Sequence, residues 1–383
     1  MSDEENRPLG LYIHIPFCDR KCDYCDFVSY SMDSKAQQLY LEALFAEIDM
    51  VRSEFFDKTF DSIFIGGGTP SIVYEGFIAS LARKLYSSFH FLDNTEFTIE
   101  VNPSSFTREK FFEYVQAGVN RISVGVQCLD EKLLREHGRI QSMENIEETF
   151  KMLNTSQFPN INSDVMIGLP GQTVDSVVDT INYLLKQNVK HISTYTLQIE
   201  RHTMLYSKLR KGRLSPMKDK TMIEIYNRID RILTKAGFHR YEISNYAKPG
   251  FECKHNLKYW DDGVSYLGLG VAAHSYIDGY RYYNTKRLDT YIDDMKDGKS
   301  AVYSREYVSD EERREERIML SLRTTKGLDL EKFKKDFNED LLRTHTDVIN
   351  RFIDKGMVEV KDNFLRIRNA YFAVSNSIIV ELI

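Results

Sequence analysis

Along the first half of the chain, short β-branched runs alternate with longer stretches whose apolar residues recur at spacings of three and four. The runs are LYIHI (11–15), SIFIG (62–66), EFTIEV (96–101), RISVGV (121–126), INSDVMIG (161–168) and HISTYTL (191–197). The stretch QQLYLEALFAEIDMVRSEFF (37–56) typifies the second kind and predicts a helix. Strand and helix in repetition predict an α/β fold, with parallel strands joined by crossover helices. Six such units fall short of the eight that close a (β/α) barrel, so the expectation is a partial (β/α)6 barrel with one open side.

Past residue 200 the pattern changes twice. Residues 201–306 lack βα repetition and hold the string SNYAKPGFECKHNLKYWDDGVSYLGLGVAAHS, rich in glycine, aromatic and polar residues. Residues 307–383 read as three helices, SDEERREERIMLSLR, LDLEKFKKDF and LRTHTDVINRFIDKG, and two short strands, MVEVKD and FLRIRN. Three helices and a hairpin predict a C-terminal, mostly helical, winged-helix-like unit, so the expected divisions are 1–200, 201–306 and 307–383. DNA binding suits that shape, but the second and third helices mix acidic and basic residues, which favours a packing or lid role.

Barrels of this kind gather their chemistry at the C-terminal ends of the strands. The first strand runs into HIPFCDRKCDYCDF, which crowds Cys18, Cys22 and Cys25 into one loop. The second ends in GGGTP (66–70), the third in Glu100 and Asn102, and the fourth in Gly125 and Gln127. The fifth carries Asp164 with GLPGQT beyond it, and the sixth leads to Gln198. Polar or glycine-rich strand ends converging with a three-thiolate loop predict a single site.

Three thiolates without a fourth can hold three irons of an iron–sulfur cube and leave one iron open. Structural zinc wants four ligands, usually as two separated pairs. His14 is the nearest fourth candidate, but alternation along LYIHI is expected to carry it away from the loop, into packing or a hydrogen bond. An odd count of five cysteines, and a polar, acidic start (MSDEENRPLG) unlike a secretory leader, argue against disulfides and for a cytoplasmic protein. No apolar run reaches the roughly 20 residues of a membrane span.

With 383 residues, 42% of them hydrophobic, the chain can build two or three domains around a large core. A net charge of −6 argues against general nucleic-acid binding, which needs a basic face. The run RHTMLYSKLRKGR (201–213) is the best candidate for a local basic patch, although most such runs are solvated surface.

The CxxxCxxC spacing, with an aromatic residue before the last cysteine and directly after the first strand, resembles the cluster loop of radical S-adenosylmethionine (SAM) enzymes. There the open iron is chelated by the amino and carboxylate groups of SAM. Bound SAM needs backbone groups at its methionyl end, which GGGTP could supply because glycines allow close approach, and carboxylates for its hydroxyl or ammonium groups, which Glu100 and Asp164 could supply.

Further strings extend the likeness: HIPFCxxxCxYCDF, FIGGGTPS, EVNP, RISVGVQ, DVMIGLPGQT and YEISNYAKPGFECKHNLKYW, in this order, resemble the oxygen-independent coproporphyrinogen oxidase group over nearly the whole chain. The resemblance implies a [4Fe–4S] cluster on Cys18, Cys22 and Cys25. It also implies SAM contacts at Tyr12, Tyr24, Gly67, Gly68, Thr69, Glu100, Gln127, Arg139 and Asp164. On residue chemistry alone Arg139 reads as an ordinary surface arginine.

Two departures bear on the branch. Phe27 stands where the oxidase loop has a further cysteine, and about ten polar residues precede the first strand where the oxidase has a long arm. Together with the HNxxYW string at His255, Asn256, Tyr259 and Trp260, these resemble the HemW haem chaperones, which bind haem and pass it to acceptor proteins. Imidazole suits haem iron, and the aromatic pair offers flat apolar surface. Taken without the resemblance, the string reads as a hydrogen-bonded turn around a packing tryptophan.

Cys253 is a candidate second haem ligand or attachment point, or else a buried inert thiol; Cys128 is expected to pack like a small apolar residue. Three functions stay open. One is a haem chaperone in which cluster and SAM, served by a one-electron reductant, sense or gate transfer. Another is an oxygen-independent coproporphyrinogen III dehydrogenase. The third, a radical enzyme acting on RNA or protein, lacks an appended basic module. No residue is assigned a catalytic role.

Overall fold

The computed structural model describes residues 7–31, 34–261 and 263–383; the first six residues of the acidic N-terminal stretch lie outside them. The six predicted strands are present: β1 (Leu9–Ile15), β2 (Thr59–Gly67), β3 (His90–Val101), β4 (Arg121–Gln127), β5 (Ile161–Ile167) and β6 (His191–Thr196). They lie side by side in chain order, each parallel to the next. One face of this sheet is apolar. Leu11, Ile13, Ile15, Ile63, Ile65, Phe97, Ile99, Ile122 and Val124 are fully buried in a single core shared with the crossover helices. Burying each such side chain stabilises the fold by about 1.5–3 kcal/mol.

Most of the alternate positions, which the strand period of two turns to the other face, are polar or small, with Tyr12 and Phe64 among the aromatic exceptions. Gly10, Tyr12 and His14 of β1, Ser62 and Gly66 of β2, and Thr98 and Glu100 of β3 share the interior of the curve with Arg121, Ser123, Asn162, Asp164, His191 and Ser193. This is the partial barrel that the pattern predicts.

The predicted helix over 37–56 is helical only from Ser34 to Val51. Its last residues turn back instead, with the Glu54 amide donating to the Val51 carbonyl at 2.9 Å, and this seats Phe55 against Phe60 and Phe89.

Residues 201–306, without pattern in the sequence, extend the sheet at both edges. Tyr266–Leu269 (β7) pairs parallel to β1, from Gly10 opposite Tyr266 to Ile13 opposite Leu269. An antiparallel meander of His274–Ile277, Tyr280–Asn284 and Val302–Tyr307 continues outward. At the far edge Asn245–Ala247 pairs antiparallel to β6. The short helix Lys254–Lys258 stops the end of the barrel away from the cysteine loop. Its first amides, Lys254 and His255, donate to Glu96 at 3.2 and 3.3 Å, an anion at a helix N-terminus.

The C-terminal segment has its own apolar core, formed by Ile318, Leu322, Phe333, Ile349, Phe352 and Leu365 among others. The hairpin of Val358–Lys361 and Phe364–Ile367 turns on Asp362 and Asn363, both in the left-handed region that a two-residue hairpin turn requires. The third predicted helix is two, Leu341–Thr344 and Thr346–Asp354, broken at His345, where the Thr344 hydroxyl donates to the Glu339 carboxylate at 2.7 Å. Leu328–Asp329 adds a third strand to the hairpin.

Glu47 ties the first crossover helix to the added edge. Its buried carboxylate accepts from the Gly270 amide at 2.7 Å, the Asn284 amide group at 2.6 Å and the Tyr291 hydroxyl at 2.6 Å. Glu47→Ala leaves three buried donors unpaired, each costing about 1–3 kcal/mol. We expect a loss of about 3 kcal/mol or more, read as a lower urea midpoint, with Glu47→Gln recovering part of it.

Candidate cofactor site at the mouth of the barrel

The cysteine loop follows β1 and folds over the C-terminal ends of the strands. Cys18, Cys22 and Cys25 are partly buried free thiols. Burial and the neighbouring sulfurs raise Cys25 to about 11, and Cys18 is raised chiefly by burial. Among the described residues no three His, Cys, Asp or Glu side chains converge on a point that a single ion could occupy. Three thiols on one loop can supply three corners of a four-iron cube, whereas structural zinc wants four ligands.

The glycine turn after β2 is built against this loop. The Gly68 amide donates to the Ile15 carbonyl at 2.8 Å, and the Thr69 amide to Phe17 at 2.8 Å. A Cβ on Gly68 would stand 2.6 Å from the Phe17 oxygen and 2.9 Å from the Cys18 sulfur, so only glycine brings the two loops together. The Gly67 amide donates to Glu100 at 3.2 Å, and the Cys18 sulfur and Thr69 hydroxyl lie 3.5 Å apart.

Deeper in the barrel the carboxylates stack. Asp164 accepts from Ser123 at 3.0 Å and Asn162 at 2.8 Å, and burial raises its pKa. Glu100 is raised from 4.5 to about 8, first by burial and then by Asp164. Gln127 ends β4 at a bulge with a left-handed φ of 65°, rare for a residue with a side chain, and its buried amide oxygen has no partner. Backbone strain and a free buried acceptor at a strand end are the features that ligand sites use.

Arg139 is no surface arginine. It donates to the Gly125 carbonyl and to Gln141, and its charge acts on Cys18 and Tyr24. Tyr12, Tyr24, Gly67, Gly68, Thr69, Glu100, Gln127, Arg139 and Asp164 thus share one mouth with the three cysteines.

Of the remaining candidates only Tyr259 reaches a cavity beside the loop, which it shares with Tyr12 and Phe27. His255 is turned into the barrel, 1% exposed, with Nδ1 3.1 Å from the Ser62 hydroxyl and Nε2 2.9 Å from the Tyr259 hydroxyl. Burial, Lys258 and Arg121 lower it to about 3, so it is neutral and fully engaged. The imidazole expected to face haem iron therefore holds Tyr259 in place. Asn256 is half-buried on the short helix, and Trp260 lies beside the C-terminal segment under the Arg323 guanidinium at 5.9 Å. Cys253 is a buried thiol donating to Glu96 at 3.3 Å, and Cys128 packs with Leu133, Leu134 and Leu169.

His14 corrects one expectation. Alternation does turn it inward, but the loop folds back over it, so that Nε2 meets the Val28 carbonyl at 3.1 Å and Nδ1 the Tyr12 hydroxyl at 3.0 Å. The basic run 201–213 packs on the same loop: Lys208 pairs with Asp23, and the Leu205 amide donates to the Asp23 carbonyl at 2.8 Å.

The Radical SAM superfamily model matches residues 12–184, and the HemN C-terminal domain model matches residues 308–369. The heme chaperone HemW of Bacillus subtilis is 36% identical over 353 residues, covering 91% of this chain and 92% of that protein. The chain belongs to the HemW family. The HemW of Lactococcus lactis is 31% identical over 373 residues, covering 97% and 96%, and that of Escherichia coli K12 35% identical over 270 residues, covering 70% of each. In fold, the chain is similar to the coproporphyrinogen III oxidase HemN from Escherichia coli. That match has a TM-score of 0.86 at 22% identity and covers 98% of this chain and 90% of that one. Membership of the radical SAM superfamily implies a [4Fe–4S] cluster and SAM, and the geometry above suits both.

Pattern reading missed the support beneath the site. Arg121, 1% exposed, lies among Glu96, Asp164, Cys253 and Tyr241, and His191 bridges Asn162 at 2.6 Å and Tyr241 at 2.7 Å. Their inward parity was the only signal available.

Glu100 predicts a pH dependence. Its folded pKa of about 8 exceeds the unfolded 4.5, so folding takes up a proton in that window and stability falls as pH rises through it. Glu100→Gln should flatten this fall and melt about 2 °C or more above the parent at pH 8.5, while weakening SAM binding. A calorimetric pH series checks both the sign and the size.

Proposed function

We propose that the chain is a haem chaperone, binding haem and handing it to acceptor proteins. It carries a [4Fe–4S] cluster on Cys18, Cys22 and Cys25 with SAM at the open iron. The observation that carries this reading is Phe27. It takes the place of the oxidase's further cysteine, is 63% exposed, and lines a cavity of about 340 Å³ with Tyr12, Tyr259 and Tyr266. A contiguous aromatic lip beside a cluster loop suits a flat macrocycle. The HemW names of the relatives support the same reading.

When bound, the cluster supplies a one-electron centre with an open coordination position. The Gly67 and Gly68 backbone and Thr69 would receive the methionyl end of SAM. Glu100 and Asp164 would receive hydroxyl or ammonium groups, and Tyr12, Tyr24, Gln127 and Arg139 would close the sides. His255, Asn256, Tyr259 and Trp260 serve haem through Tyr259, whose hydroxyl His255 orients.

The one-electron reductant would approach the exposed Arg201, Arg210, Lys211 and Arg213 beside the loop, which favours an acidic carrier. No nucleic-acid partner is assigned. No described helix is long and apolar enough to cross a membrane, and the site of action is taken to be the cytoplasm. The cluster and SAM site fall within 1–200, the HNxxYW segment within 201–306, and the helical unit 307–383 covers the barrel's end. The alternative, oxygen-independent coproporphyrinogen III dehydrogenase, draws on the shared fold, and Phe27 speaks against it.

Anaerobic reconstitution should give one cluster per chain by iron and sulfide analysis. Cys18→Ala, Cys22→Ala and Cys25→Ala should each abolish it, and Cys128→Ala and Cys253→Ala should retain it. The reconstituted protein should bind about one haem per chain and leave coproporphyrinogen III unconverted. Turnover of coproporphyrinogen with SAM consumed in step would instead establish the dehydrogenase.

A further inference from the structure

The cavity beside the cysteine loop joins residues that the sequence keeps far apart. Asp26, Phe27 and Val28 come from the loop, Tyr12 and His14 from β1, Tyr259 from the HNxxYW string, Tyr266 from β7, and His274 and Lys286 from the meander. Two imidazoles face it. His14 has both ring nitrogens engaged, with Tyr12 and Val28. His274 is exposed, and its ring has no hydrogen-bond partner among the described residues. It stacks on Tyr283 with ring centres 5.0 Å apart and planes 21° from parallel, so its orientation is fixed while its edge stays free.

We propose that this cavity is the haem site and that His274 supplies the axial imidazole, with the Lys286 ammonium pairing a propionate. The assignment rests on the chaperone reading above and goes beyond it by naming the place and the ligand. Three features support it. Iron takes the lone pair of a neutral imidazole, and partial burial with Lys286 and Arg281 nearby lowers the pKa of His274. Phe27, Tyr259 and Tyr266 supply aromatic walls, and Tyr259 is the residue that His255 holds in place at 2.9 Å. Lys286 is exposed and makes no ion pair among the described residues. At about 340 Å³ the cavity is at the small end for ligand sites, so it would enclose one edge of a macrocycle and leave the other outward, as transfer to an acceptor requires.

The test is a titration of the full-length, cluster-reconstituted protein with ferric haem, followed by the Soret band and by electron paramagnetic resonance of the ferric iron. His274→Ala should lose the imidazole-ligated spectrum and weaken binding about tenfold or more, while keeping the parent melting temperature and cluster absorbance. Millimolar imidazole should restore the spectrum. Lys286→Glu should weaken binding several-fold without moving the Soret band, and an unchanged affinity would remove the propionate contact. If the parent binds haem and His274→Ala matches it in spectrum and affinity, the axial assignment is wrong and haem binding stands. A loss that imidazole does not restore also overturns the assignment, since the missing group is then not an imidazole. A parent chain that binds no haem overturns the chaperone reading itself.

Discussion

A buried cation sets the terms for the interior of this barrel. Arg121 carries its charge at 1% exposure, with Glu96 on the stoppered side and Asp164 toward the mouth. An unbalanced charge in such a space costs several kcal/mol, so the carboxylates around it are held in place by the balance they provide. Glu96 in turn receives the amides of Lys254 and His255, which brings in the short helix that closes the barrel. Glu100 feels Asp164 more strongly than Arg121, and burial with that repulsion raises its pKa to about 8. The site at the mouth is therefore tuned from the floor.

The same balance explains why the HNxxYW string is structural before it is anything else. His255 sits between Ser62 and Tyr259 with Lys258 paired to Asp61 at 2.7 Å, so the segment is bolted into β2 along its length. What it presents outward is the tyrosine. On the proposed reading the string would serve haem through Tyr259, because its imidazole is taken up in holding that tyrosine.

Much of the fold was legible because six β-branched runs, buried on one face, leave a strong period-two signal. The meander was not legible. YRYYN and its neighbours are short, half-exposed and aromatic, and they become strands only because β1 offers an unpaired edge. The cluster loop, the glycine turn and the strand-end acids were readable from position along the chain. His14 was rightly expected to be hydrogen-bonded, but the loop's return over it and the packing of Arg139 against Gly125 and Gln141 were not legible, because local spacing does not say which loop folds back over which strand end. His274 and Lys286 were invisible for the same reason.

The bridges that complete the mouth are long. Ser62 meets His255 across 193 residues, and the Tyr30 hydroxyl donates to the Lys286 carbonyl across 256. Closing such loops is slow compared with forming adjacent βα units. During synthesis the thiols of the first loop leave the ribosome well before the walls opposite them, which come some 240 residues later. For that interval the cysteine loop has a neighbour on one side only. The order of the chain therefore gives cluster assembly an open approach first, and roofs the site once β7 and the meander dock.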